Sequence, residues 1–116
     1  MDILKRINFG YDGLIRSIII HKDAVHIEIS AKDTTVDEWV NVLFILEGLS
    51  EYKIWQPELT SNEVLSDAIQ LKKVNGVVWF GLVPYSEDID NIEDLRKSYI
   101  YFICNSFDWK ILPYKE

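Results

Sequence analysis

A mainly β chain, folded as an antiparallel sandwich or open barrel of about eight strands with one or two short helices, is what the sequence predicts. Three observations carry that expectation. Apolar residues recur with period two, or in short runs rich in Ile, Val, Tyr, Phe and Trp, along most of the 116 residues. Turn-forming residues such as Lys22-Asp23 and Asn75-Gly76 separate these runs at short intervals, so successive strands connect as hairpins. Helical spacing stands out in one place, residues 86–97, where Ile89, Ile92 and Leu95 recur at i, i+3, i+6. An α+β layout, with that segment packed as a helix, is the alternative.

Taken in order, Gly10-Tyr11-Asp12-Gly13 reads as a turn ahead of a first strand at residues 14–21. Lys22-Asp23 then returns the chain into residues 24–31, where Val25, Ile27, Ile29 and Ala31 alternate with His26, Glu28 and Ser30. Residues 38–46 follow, with Val40, Val42, Phe44 and Leu46 on one face and Trp39, Asn41, Leu43 and Ile45 on the other. Two largely apolar faces predict a central strand. Gly48-Leu49-Ser50 turns the chain into residues 51–56, stopped by Pro57, which has no N–H for a central ladder. Ser61 or Asn62 can cap one brief helical turn near residues 60–63. Residues 68–74 and 77–83 flank Asn75-Gly76, a pair suited to two successive positive φ angles. Pro84 closes that hairpin, an acidic loop or short helix occupies residues 86–95, and residues 99–104 and 107–112 are the last two strands.

Composition narrows the class. The chain is 48% apolar and 27% charged with five Gly and three Pro, which excludes disordered and fibrous designs. A length of 116 residues predicts a single domain over 1–116 that buries about two thirds of its unfolded surface. Cys104 is the sole cysteine, so no internal disulfide forms and a reducing cytoplasm is expected. The first six residues lack the basic start and apolar stretch of a signal peptide, and no 18-residue apolar run predicts a membrane span. The net charge of −7 repels phosphate backbones and anionic lipid, which argues against nucleic acid and membranes and for a basic partner.

No catalytic constellation stands out. Nucleophilic catalysis needs Ser or Cys beside an oriented base, and His21 and His26, the only histidines, flank one turn on the outward side of their strands. Cys104 lies inside the run Tyr99-Ile100-Tyr101-Phe102-Ile103-Cys104 and is expected to be a buried, inert thiol. One cysteine and two histidines do not make a zinc site, and Glu87-Asp88-Ile89-Asp90 lacks the glycine of a calcium loop. Gly10 and Gly13 do not have a phosphate-loop spacing. No catalytic residue, metal or cofactor is therefore assigned, and the chain is expected not to be an enzyme.

What remains is electrostatic. Residues 33–71 hold eight acids against one base, Lys53, so a negative patch on the middle third is expected to steer a cationic partner. Asp33, Asp37, Glu38, Glu47, Glu51, Glu58, Glu63 and Asp67 form its expected rim, with Trp55 as an aromatic anchor. Trp55 and Tyr85 are the aromatics most expected at the surface.

The segments Phe9-Gly10-Tyr11-Asp12-Gly13-Leu14-Ile15-Arg16-Ser17-Ile18, Ile29-Ser30-Ala31-Lys32-Asp33, Glu38-Trp39-Val40-Asn41-Val42 and Val64-Leu65-Ser66-Asp67-Ala68-Ile69 resemble small bacterial proteins of uncharacterised function over residues 8–83. In size, acidity and lack of catalytic groups the chain is similar to immunity proteins encoded beside contact-dependent or polymorphic toxins. That resemblance implies a cytoplasmic protein that binds one toxin domain and blocks its active site or its substrate's approach. Two other functions are weighed: a small-ligand-binding β-barrel lined by Tyr and Trp, and a homodimer formed through an exposed edge strand such as residues 99–104.

Overall fold

Two tight turns organise the chain, and both follow from local sequence. Asn75 and Gly76 adopt φ of 51° and 78°, the paired positive values that Asn-Gly accepts at little cost. They join β6 (Gln70–Val74) to β7 (Val77–Val83) in register from Val74 opposite Val77. Lys22, at φ 57°, does the same for β1 (Leu14–His21) and β2 (Ala24–Asp33), with His21 opposite Ala24. The computed structural model describes residues 3–54, 63–65, 68–83 and 89–115, and only the backbone of residues 63 and 64.

Around these hairpins the remaining strands assemble into two antiparallel sheets. β3 (Glu38–Glu47), β5 (Glu63–Val64) and β9 (Ser106–Pro113) complete a five-stranded sheet of order β5-β1-β2-β3-β9. β4 (Glu51–Ile54) and β8 (Ile100–Cys104) complete a four-stranded sheet of order β4-β8-β7-β6. Among the described residues this makes eight strands of four residues or more and the two-residue β5. The expected central position of β3 holds, since β2 and β9 pair with its two edges.

The sheets face each other as an open sandwich, not a closed barrel. Val25, Ile27, Ile29, Val42, Phe44 and Leu46 pack from one side against Val78, Phe80, Leu82, Ile100, Phe102 and Cys104 from the other. All but Val78 are fully excluded from solvent. Phe44 and Phe80 meet at 5.3 Å between ring centres, so aromatic side chains fill the space in which a ligand-binding barrel would hold its ligand. Burial pushes the Cys104 thiol up to about 11, and its Sγ donates to the Ser106 carbonyl at 3.4 Å, consistent with the expected inert thiol. His21 and His26 are exposed, as their alternation predicts.

The two sheets are covered unequally. α2 (Ile92–Arg96), capped by the Asn91 side chain accepting from the Asp94 N–H at 2.9 Å, lies on the outer face of the four-stranded sheet. There Ile89, Leu95, Tyr101 and Ile103 form a second apolar cluster with Trp79 and Ile92 beside it. The inward set Ile89, Ile92 and Leu95 is the one its spacing predicts, although the helix is too short to change the fold class.

Several elements depart from the sequence reading. α1 (Ile3–Arg6) and a 3-10 turn at Asn8–Gly10 precede β1, and Ile3, Leu4 and Ile7 are buried in the main core. Gly10 stands at φ 78°, a backbone conformation that favours glycine, and a Cβ there would lie 2.6 Å from the Ile69 Cδ1 and displace that side chain. β8 is central, between β4 and β7, which corrects the expectation that residues 99–104 form an exposed edge. All five residues of β8 are buried, because both faces of its sheet are covered. The stops at Pro57 and Pro84, the helical turn near residues 60–62 and the exposure of Trp55 and Tyr85 lie outside the described residues. No described helix is long and apolar enough to cross a membrane.

Candidate functional site

The acids of the middle third sit in quite different surroundings. Asp33 continues the inward alternation of Val25, Ile27, Ile29 and Ala31 and is 1% exposed. Arg6 grips it with Nε at 3.1 and 3.0 Å from its two oxygens and Nη2 at 2.8 Å, and the Thr35 N–H and hydroxyl also donate to Oδ1. The Arg6 hydrogen bonds hold this carboxylate well below the usual range despite burial. Asp33 therefore closes the core beneath α1, paired with Arg6 and withdrawn from the surface where the sequence reading expected it.

Glu51 is engaged as well. Arg96 donates to both of its oxygens at 2.9 Å and the Tyr101 hydroxyl donates at 2.7 Å, which lowers the Glu51 carboxyl to about 2. Burial and that same carboxylate push the Tyr101 hydroxyl up to about 12. Asp37 is exposed in the β2–β3 turn and lies 3.1 Å from Lys32 Nζ. Glu38 and Glu47 are exposed at opposite ends of β3, nine residue steps and about 30 Å apart. The longest dimension of the molecule is 35 Å. Glu63 lies on β5, while Trp55, Glu58 and Asp67 are outside the described residues. The described acids thus do not gather on one side.

A different surface carries convergent chemistry. Register places Ser30 opposite Asn41 and Asn41 opposite Leu112, Glu28 opposite Leu43 and Leu43 opposite Lys110, and His26 opposite Ile45 and Ile45 opposite Asp108. These rows form the outer face of the five-stranded sheet. Arg16 joins them through a bulge: Ile15 pairs with Ile29 and Ser17 with Glu28, leaving Arg16 as the extra residue.

A linear network runs across this face. Arg16 Nε donates to Ser30 Oγ at 2.7 Å, so the Ser30 hydroxyl proton goes to Asn41 Oδ1, also at 2.7 Å. The Asn41 amide is thereby oriented to donate to Glu28 Oε2 at 2.7 Å. A cation and an anion thus terminate two neutral groups, an arrangement that strengthens each bond in the series. Ser30 and Asn41 are buried although they lie on the outward side of their strands.

Aromatics frame the network. Arg16 stacks on Tyr114 at 5.7 Å from the ring centre and its Nη2 lies 3.3 Å from the Tyr114 hydroxyl. Tyr114 meets Trp39 at 6.3 Å, and the two rings are 41% and 42% exposed. Ile19, in the row of His26, is 61% exposed, and Leu43, Ile45 and Leu112 are half-buried without a covering element among the described residues.

Sequence reasoning does not pick out Arg16, Ser30, Asn41 or Tyr114 as site residues. One signal is present: the second apolar face of residues 38–46, which marks a central strand, is this surface. Among the described residues no three His, Cys, Asp or Glu side chains gather to hold a metal ion. Comparison of the chain with family models, with curated proteins and with solved structures gives no match.

Proposed function

We propose that this chain is a non-enzymatic, immunity-like binder that neutralises a basic toxin domain, and that it engages that partner through the outer face of the five-stranded sheet. One observation supports this above the rest: a sheet face carrying Trp39, Tyr114 and Arg16, with Arg16 anchored by a partly buried hydrogen-bond series, is left uncovered by the described residues, while the other sheet is covered by α2. Trp, Tyr and Arg are the residue types that dominate binding energy at protein interfaces, and fixing them before contact lowers the ordering cost.

Asp37 and Glu38 lie beside Trp39 at one end of this face and Glu47 closes the other. These are separate charges at the two ends of the face, Asp37 paired with Lys32 opposite Trp39, and their part is to steer a basic partner during encounter. The role given to the middle-third acids is thereby reduced from a continuous patch to flanking charges.

The test is co-purification with the toxin domain encoded beside the gene, followed by measurement of association and dissociation. Trp39→Ala and Tyr114→Ala should each weaken binding by about tenfold to a hundredfold through faster dissociation. Glu38→Lys should mainly slow association. Absence of a complex, or a complex indifferent to both aromatic substitutions, overturns the proposal.

A further inference from the structure

Hydrogen-bond parity can be traced across the five-stranded sheet from one turn. The two-residue turn makes His21 and Ala24 a pair that exchanges both backbone bonds, and antiparallel pairs alternate thereafter. Val25, Ile27 and Ile29 consequently direct their N–H and C=O groups to Leu46, Phe44 and Val42 of β3. Leu43 and Ile45 then bond to Lys110 and Asp108 of β9. The backbone groups of Phe107, Trp109 and Ile111 are left pointing away from β3, where no described strand follows. One contact agrees independently: the Trp109 N–H donates to its neighbour's Asp108 Oδ1 at 2.7 Å, as a group turned to the free edge can.

This edge has a symmetric sequence. Around Trp109 stand Asp108 and Lys110, and beyond them Phe107 and Ile111. We infer that β9 pairs antiparallel with β9 of a second copy of this chain, about a two-fold axis at Trp109. The inference goes beyond the proposed function and does not depend on it.

In that register Trp109 opposes Trp109 of the second copy, and Phe107 opposes Ile111, as fully bonded pairs using the outward backbone groups. Asp108 opposes Lys110 of the second copy as the closer, non-bonded type of pair, twice by symmetry. Sliding the strands to the adjacent backbone-compatible registers brings Asp108 against Asp108 or Lys110 against Lys110. Charge thus selects one register. Phe107, Trp109 and Ile111 are only partly buried against the core, and the second copy supplies the cover they lack. Asp108, which occupies the Trp109 N–H in the single chain, turns to Lys110 of the second copy once that N–H is bonded across the axis.

Charge exchange tests the register directly. In sedimentation velocity from micromolar to hundreds of micromolar chain, the native protein should pass from monomer to dimer. Asp108→Lys and Lys110→Asp should each weaken self-association by about tenfold or more, because both symmetric pairs become repulsive. An equimolar mixture of the two variants should form a heterodimer, since the two lysines flanking Trp109 in one variant then face the two aspartates flanking it in the other. Recovery in the mixture also shows that both variants are folded. A native chain that stays monomeric throughout, variants that dimerise like the native chain, or a mixture that stays monomeric would each overturn the inference.

Discussion

Asp33 and Glu51 illustrate how a carboxylate's neighbours, more than its position in an acidic stretch, decide its role. Both are depressed by hydrogen bonds from arginine, Asp33 by Arg6 and Glu51 by Arg96 with Tyr101. A depressed folded-state value means that the stabilisation is complete above the unfolded-state value, near pH 4, and fades as pH falls through the folded value. Denaturation midpoints of the native chain should therefore drop between about pH 4 and pH 2. The Asp33→Asn, Glu51→Gln double variant should be less stable at pH 7 and flatter over that interval. Asp33→Asn alone should lose about 1.5–3 kcal/mol at pH 7, the range for hydrogen bonds to charged groups. At the alkaline end Cys104 and Tyr101 are raised, so their contribution is whole below their ordinary values and is lost as pH climbs through about 11 and 12.

Among the elements, α2 is the smallest with a clear structural task, because its Leu95 is 1% exposed beneath only five helical residues. Leu95→Ala should cost about 2–5 kcal/mol in chemical denaturation, a large fraction of the stability of a domain this size. Elements with a local cause are the legible ones. Asn75-Gly76 names its turn, the alternation over residues 24–31 names its faces, and Ile89, Ile92 and Leu95 name a packed helix. α1 is illegible because four residues are too few for a period. The place of β8 in its sheet is illegible because strand order depends on pairing between distant segments. The same reason hides the open face: Trp39 and Tyr114 meet only through the β3–β9 register, and Arg6 reaches Asp33 across 27 positions. Asp33 itself is within reach, since its position continues the inward alternation of β2.

For the whole molecule the strands differ in how thoroughly they are enclosed. β8 lies between two strands, with the main core on one face and the α2 cluster on the other. In a single copy β9 has a neighbour on one side only among the described strands, and none of its eight residues is buried. Deuterium uptake should therefore be graded: amides of β9 and β6 exchange through local fraying, whereas those of β8 exchange only when the entire domain opens. Mass-spectrometric exchange that found β8 labelled as fast as β9 would contradict this gradient. Loss of structure accordingly has a direction, from the rims toward one strand, and the last segment to be wetted is Ile100–Cys104, which bears the lone thiol. A thiol-specific reagent applied under native conditions would report the rare global opening of the molecule and ignore its everyday breathing.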